Sequence, residues 1–127
     1  MGGLSEVSLD DGLAGVEHAL GGLDSAYVLF KADWCGDCRR SLGAVKEVVA
    51  AAGGTLLVVD VAKQSPSWKT SDHPLRKDPR FQLAGVPTLV LWKGGVVAAK
   101  LTSELEDAPT TEAAGQAAAA FIKGHPA

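Results

Sequence analysis

The 127-residue sequence has few cysteines, no long apolar run and no excess of basic charge, and each shortage excludes a class of protein. Two cysteines are too few for a small secreted domain stapled by disulfides. No apolar run approaches the roughly 18 residues that a membrane span requires, so we expect no contact with a membrane. A net charge of −3 argues against a nucleic-acid-binding protein, which needs a basic excess to contact phosphates.

The first residues, MGGLSEVSLDDG, carry no targeting pattern. They lack the cationic and apolar segments of a secretory signal. Glu6 stands where the myristoylation pattern requires Ser or Thr. The length fits one domain with a core of its own. We therefore expect a single domain over residues 1–127 that works as a cytoplasmic monomer.

Strand-like and helix-like segments alternate along the chain. The apolar runs 26–30 and 55–61 are typical of strands buried on both faces. Gly94-Gly95 lies between two further apolar runs and predicts a two-residue hairpin, and Pro109 is predicted in the first turn of the last helix. The predicted order is β-α-β-α-β-(α)-β-β-α, with strands at 5–9, 26–30, 55–61, 88–92 and 96–101, and helices after Asp10 or Asp11, after the cysteines, around 75–83 and up to Lys123-Gly124. This order predicts an α/β protein whose central mixed sheet is flanked by helices on both faces.

A polar stretch at about 62–80 interrupts the pattern and contains three prolines. Long loops inside a compact domain often carry function. Its basic residues outnumber its acidic ones, so it could select acidic or small substrates, and a purely solvated loop is the alternative. The charged residues are Lys63, Lys69, Arg76, Lys77 and Arg80 against Asp72 and Asp78.

Both cysteines lie in the stretch Ala-Asp-Trp-Cys-Gly-Asp-Cys-Arg-Arg, residues 32–40, between a predicted strand and a predicted helix. A thiol at a helix N-terminus is favoured as thiolate by unpaired N–H groups and the helix dipole. The two-residue spacing brings Cys38 within disulfide reach of Cys35, so thiol–disulfide exchange is the favoured chemistry. A zinc site and inert packed cysteines are the alternatives. Zinc would need two more ligands from the scattered histidines His18, His73 and His125.

Motifs along most of the chain resemble those of a known family. WCGDC, followed by a polar insert and AGVPTLVLWKGG, resembles the thioredoxin fold. More narrowly, EVSL near the start, Asp before the second cysteine, SWK, KDPRF and GVPTL resemble the Clot family, also called thioredoxin-related protein of 14 kDa. The resemblance covers roughly residues 5 to 123.

The resemblance implies a disulfide reductase without a bound cofactor, whose redox-active Cys35–Cys38 disulfide is reduced again by NADPH-dependent thioredoxin reductase. Its implied substrates are disulfide-containing proteins and small disulfides such as cystine. Cys35 would be the nucleophile and Cys38 the resolving cysteine. Trp34 and Gly36 would lie beside the substrate, and the backbone of Val86 would pair with it. A redox-sensing adaptor without turnover remains an alternative.

The resemblance also implies that the Val86–Pro87 peptide bond is cis, and only proline makes the cis form energetically cheap. From the residues alone, a trans proline opening the strand 88–92 is the alternative.

Three positions depart from the family pattern. Gly36 and Gly43 stand where relatives usually carry proline. Glycine at position 36 should loosen the turn between the cysteines. Glycine at position 43 makes a helix bend possible but does not require it. Leu29 stands where ordinary thioredoxins bury an aspartate, and it cannot transfer protons. Our hypothesis is that Asp37 takes over part of that role for Cys38, and the alternative is that it only satisfies the helix N-terminus.

The Asp37→Asn substitution tests this hypothesis. If Asp37 accepts the Cys38 proton, its loss should lower the rate of disulfide reduction most at low pH, where the thiol is protonated. If the carboxylate acts only by like-charge repulsion, its loss should lower the thiol pKa and raise the rate at low pH. The measurement is the pH profile of insulin or cystine reduction, with Glu47→Gln further along the predicted helix as the charge-matched control. An Asp37→Asn profile identical to that of the wild type would end the tuning role.

Overall fold

The computed structural model describes residues 3–8, 12–32, 36–61, 77–79, 81–83 and 85–126. Within these ranges the chain forms five strands and four helices. The strands are β1 (Gly3–Ser8), β2 (Ser25–Lys31), β3 (Thr55–Asp60), β4 (Thr88–Lys93) and β5 (Val96–Leu101). The helices are α1 (Gly12–Gly21), α2 (Gly36–Ala51), α3 (Ser103–Glu106) and α4 (Thr111–Gly124).

The five strands form one mixed sheet in the order β1-β3-β2-β4-β5. β1 and β2 run parallel to β3, whereas β4 is antiparallel to both β2 and β5. β2 therefore has hydrogen-bonded neighbours along both edges, and residues 26–30 are buried on both faces. The predicted mixed sheet and the buried strand are confirmed.

Each face of the sheet carries its own apolar cluster. Tyr27 and Leu29 of β2 point to one face, which α2 and α4 cover, and Val28 and Phe30 point to the other, which α1 covers. This alternation is the period-two pattern of a strand. Helices thus cover both faces, as the sequence predicts. None of the described helices is both long and apolar enough to cross a membrane.

The turn between β4 and β5 confirms the predicted hairpin. Gly94 and Gly95 have φ of +64° and +83°, which L side chains rarely adopt. Positive φ at both central residues is typical of the tight turn that matches the twist of two antiparallel strands. Lys93 pairs with Val96 directly across the turn.

The last helix begins later than predicted. The Thr110 Oγ1 atom accepts a hydrogen bond from the Ala113 backbone N–H at 3.0 Å and caps α4, so Pro109 lies before the cap and not in the first helical turn. The short helix α3 was not predicted, because four residues are too few to show a helical apolar pattern. The prediction of a helix around 75–83 is wrong for most of that range, because residues 78–79 and 81–83 are not helical and only Lys77 of the described residues there is. Residues 75, 76 and 80 lie outside the described ranges.

Phe81 anchors the chain where it returns from the polar insert. Its ring is buried, packs edge-on to Phe30 at 5.5 Å between centroids and stacks on Trp92 at 5.6 Å. Lys100 of β5 donates a hydrogen bond to the Phe81 carbonyl. Trp92 is a core residue, as expected from its place on a strand.

Tyr27 joins the centre of the sheet to the end of α4. Its hydroxyl donates a hydrogen bond to the His125 carbonyl oxygen at 2.7 Å, and its ring meets Phe121 edge-on. The Tyr27 ring is 1% exposed, so the hydroxyl needs this acceptor to offset its burial.

Tyr27→Phe removes this hydrogen bond and keeps the ring. We expect the free energy of unfolding in urea to fall by about 1 kcal/mol, the usual net value of such a bond. The acceptor is a backbone carbonyl, so the same loss should appear in a His125→Ala background. An unchanged urea midpoint would show that the hydroxyl contributes nothing to stability.

Candidate redox site

Cys38 lies in the first turn of α2 and is 1% exposed. β2 ends at Lys31 and α2 begins at Gly36, so the cysteine sequence connects the central strand to this helix. The N-terminal turn of a helix presents unpaired N–H groups and a positive dipole end, which favour a thiolate. Cys35 and Trp34 lie outside the described residues. Gly36 and Asp37 open α2, and the side chain of Asp37 is not described.

Helix α2 continues through Gly43 without a break, from Gly36 to Ala51. Gly43 is exposed, and nothing lies within 4 Å of the place where a Cβ would stand. A side chain would therefore fit there, so close packing does not require glycine at this position. Gly43 therefore does not interrupt α2, and the possible bend at this position stays a prediction.

The Val86–Pro87 peptide bond is cis, the geometry that the resemblance implies. Pro87 is buried and Val86 is half-buried. The Thr88 Oγ1 atom donates to the Gly85 carbonyl at 2.8 Å, which ties together the two ends of this turn. Thr88 is fully buried, and the GVPT motif alone gave no sign of this bond.

The pairing of β4 with β2 brings the cis-proline turn to the end of the sheet from which the chain continues toward the cysteines. Thr88, the first residue of β4, pairs with Phe30 near the end of β2. Because β2 and β4 are antiparallel, the residues before Thr88 and the residues after Lys31 lie beyond the same end of the sheet. We call this end of the sheet, where Lys31, Asp60 and Thr88 lie, the redox edge. Pro87 and the connection to Cys38 therefore approach the same end of the sheet.

Leu29 lies fully buried in the apolar cluster beneath α2, beside Val45 and Val58 in the same group. The position that carries an aspartate in ordinary thioredoxins is thus an ordinary core position here. An aliphatic side chain holds no proton, so Leu29 can take no part in acid–base chemistry at the site.

An ion pair that the sequence analysis missed lies at the redox edge. Lys31 ends β2, Asp60 ends β3, and the two residues are register partners on these parallel strands. The Lys31 Nζ atom lies 3.4 Å from an Asp60 carboxylate oxygen. The Val61 N–H also donates to the Lys31 carbonyl at 2.9 Å, which extends the pairing past the strand ends. The sequence did contain a signal for this pair, since Lys31 follows the apolar run 26–30 and Asp60 lies near the end of the run 55–61.

Ser41 places a buried hydroxyl one turn after Cys38 on α2. In the part of the chain that the structure describes, its Oγ atom has no hydrogen-bond partner. A buried hydroxyl without a partner costs about 1–3 kcal/mol. Nothing in the sequence pattern distinguished this serine from a solvent-facing one.

The metal alternative finds no assembled site in the described ranges. Among those residues no group of three or more His, Cys, Asp or Glu side chains could hold a metal ion. His18 is exposed on α1, His125 follows α4 beside Phe121, and His73 lies outside the described residues. Most of the polar insert, with Trp68, also falls outside them.

Comparison with known proteins places the chain in one family. Residues 24–107 match the thioredoxin domain of the thioredoxin domain-containing protein 17-like family. The chain is 41% identical over 73 residues to a thioredoxin-like protein Clot of Oryza sativa, covering 54% of this chain and 52% of that protein. It is 38% identical over 84 residues to the Clot protein of Arabidopsis thaliana, covering 59% and 63%. The matches thus span between half and two thirds of these relatives.

Solved structures agree on the fold. The chain is similar to a thioredoxin of Plasmodium falciparum with a TM-score of 0.64 at 20% identity, over 95% of this chain and 98% of that one. This match is independent of the cysteine motif, since it compares the path of the backbone. The chain therefore has the thioredoxin fold, and it belongs to the thioredoxin domain-containing protein 17-like family that includes the Clot proteins.

Proposed function

We propose that this protein is a thiol–disulfide oxidoreductase that reduces protein or small-molecule disulfides through Cys35 and Cys38. The observation that carries the proposal is the buried Cys38 in the first turn of α2, at the sheet edge where the cis Val86–Pro87 turn also lies. Membership of a thioredoxin family supports this class of chemistry.

The proposed reaction has two exchange steps. The Cys35 thiolate attacks one sulfur of the substrate disulfide, a Cys35–substrate bond forms, and the second substrate sulfur leaves as a thiolate that takes up a proton. Cys38 then loses its proton and attacks the Cys35 sulfur, which forms the Cys35–Cys38 disulfide and releases the other substrate thiol. Two electrons pass from the protein dithiol to the substrate.

The geometry around Cys38 suits its role in the second step. Its burial keeps it away from outside disulfides, so Cys35 is the sulfur that meets the substrate. The first turn of α2 favours the thiolate that Cys38 must become. Val86, half-buried beside Pro87, is proposed to pair with the substrate backbone, with Trp34 and Gly36 beside the scissile disulfide.

The donor and the compartment are proposed from the resemblance to Clot proteins. Thioredoxin reductase would return two electrons from NADPH to the Cys35–Cys38 disulfide, and cystine-like molecules or disulfide-containing proteins would be the substrates. We propose that the protein acts as a monomer in the cytoplasm. The polar insert is proposed to favour small or acidic substrates, because it carries more basic than acidic residues.

Steady-state turnover tests the enzymatic role. With NADPH and thioredoxin reductase, the wild type should consume NADPH over many turnovers per molecule when cystine or insulin is supplied. Cys35→Ser should reduce the rate to the background, because the attacking sulfur is gone. Cys38→Ser should accumulate a mixed disulfide on Cys35, detectable by mass spectrometry, because no thiol resolves it.

Two outcomes contradict the proposal in different ways. At most one turnover per molecule, with both cysteines oxidised, would favour a redox-sensing adaptor. Stoichiometric metal in the purified protein, released on alkylation of both cysteines, would favour a zinc-binding domain.

A further inference from the structure

The buried hydroxyl of Ser41 has no role in the steps described so far. Ser41 is 0% exposed, and its Oγ atom has no hydrogen-bond partner among the described residues. A serine hydroxyl inside a helix often bonds to a backbone carbonyl of the preceding turn, and Ser41 does not make that bond. The hydroxyl therefore does not hold the helix together, and its burial without a partner is unfavourable.

Cys38 lies one turn before Ser41 on the buried side of α2. The two positions are three residues apart, which places their Cβ atoms about 5–6 Å from each other on a helix. Cys38 is 1% exposed, so the rest of the fold covers both side chains. Side chains on a helix lean toward its N-terminus, so the Ser41 side chain leans toward the turn that carries Cys38.

The next turn of α2 offers Ser41 no acceptor side chain. Ala44 and Val45, three and four residues further along the helix, belong to the apolar cluster that also contains Leu29. Of the described side chains one turn away from Ser41, only that of Cys38 contains an atom that accepts a hydrogen bond. The Cys38 sulfur is therefore the acceptor that helix geometry brings next to this hydroxyl.

The strength of sulfur as an acceptor depends on its charge. A neutral thiol is a weak acceptor, whereas hydrogen bonds to an ionised acceptor are about twice as strong as neutral ones. One rotation about the Cα–Cβ bond redirects the Ser41 Oγ atom between staggered positions. A hydroxyl that has no partner can therefore stabilise Cys38 when the sulfur becomes a thiolate, which is the form that attacks a disulfide.

We propose that Ser41 is a positioning residue whose hydroxyl donates a hydrogen bond to the Cys38 thiolate. Ser41 keeps its own proton, so it stabilises the thiolate and is not the base that deprotonates Cys38. The inference rests on the proposed dithiol chemistry, in which Cys38 resolves the mixed disulfide. It gives the buried sulfur a polar partner on its own helix, whereas Leu29 supplies none.

Titration of Cys38 in a Cys35→Ser background tests the proposal. The chain has two cysteines, so Cys38 is the one thiol left in this background, and its Cβ chemical shift in NMR spectra follows its ionisation. Adding Ser41→Ala removes the donor, so the midpoint should rise by about one pH unit, which is about tenfold less thiolate below the midpoint. Ser41→Thr keeps a hydroxyl and should titrate close to the background.

The rate of the resolving step gives a second readout. In a single turnover with cystine, Cys35 should attack equally fast in Ser41→Ala and in the wild type, because the Ser41 hydroxyl acts on Cys38. Below the Cys38 midpoint the mixed disulfide should last about threefold longer in Ser41→Ala, because the thiolate is scarcer but more nucleophilic. The difference should shrink as the pH rises past the midpoint. Acid quenching and mass spectrometry measure both steps.

Two control variants separate this contact from other effects. Ser25→Ala removes a serine hydroxyl at the opposite end of β2, where Ser25 pairs with Lys93, and should leave both readouts unchanged. Asp37 precedes Ser41 by four residues and is the competing acceptor on α2. If Ser41 acts on Cys38 directly, Ser41→Ala should shift the Cys38 midpoint by the same amount in an Asp37→Asn background.

The charged and titratable groups around α2 stay the same when Ser41 is replaced. They lie on α2 itself and on the strands and helices that pack against it. These groups are Arg39, Arg40, Lys46 and Glu47 of α2, Tyr27 and Lys31 of β2, Asp60 of β3, Glu104 and Glu106 of α3, and Glu112 and Lys123 of α4.

Stability separates the proposed role from a structural one. At about pH 5, where the thiol is protonated, Ser41→Ala should leave the urea midpoint unchanged or raise it, because the hydroxyl has no partner to lose. A lower urea midpoint together with an unchanged Cys38 titration would overturn the inference and make Ser41 a structural residue.

Other results would also contradict the inference. A Cys38 midpoint that does not rise in Ser41→Ala, or a rise that disappears in the Asp37→Asn background, would show that the hydroxyl does not act on this sulfur. A wild type that fails to reduce cystine would instead overturn the proposed function, and the titration of Cys38 would still decide whether Ser41 stabilises its thiolate.

Discussion

The burial of β2 is the constraint on which the rest of the structure depends. This strand is hydrogen-bonded to β3 on one edge and β4 on the other, and its residues 26–30 are buried on both faces. Nothing in it can shift without breaking two ladders and two apolar clusters. Its carboxyl end is therefore a fixed point from which the chain leaves toward the cysteines, and the register with β4 places the cis-proline turn at the same edge.

The sequence predicted these core elements well because burial on both faces leaves a continuous apolar run. Such runs predicted the strands 26–30 and 55–61. Short local patterns likewise predicted the Gly94-Gly95 hairpin and carried the family motifs. The start of α4 was harder to predict, because Thr110 and Pro109 are both residues typical of a helix N-terminus. Only the hydrogen bond from the Ala113 N–H to Thr110 identifies Thr110 as the cap.

The site itself was predictable only in part. The motifs indicated Cys38 and Pro87, whereas Lys31 and Asp60 form a pair only because β2 and β3 are neighbours in register, a long-range fact that no local pattern contains. Ser41 and Thr88 are hidden for the same reason, because burial of a polar side chain depends on what packs over it. Leu29 itself lies in the apolar core, so that position supplies no polar group.

The proposed function requires that Cys35 and Cys38 form a redox couple that reduces an outside disulfide. Reaction of the reduced protein with cystine, followed by alkylation and peptide mapping, tests this requirement in a single turnover. We predict two cysteine molecules released per protein and an intramolecular Cys35–Cys38 disulfide. A protein that stays fully reduced, or that stops at a mixed disulfide while both residues are intact, would contradict the claim.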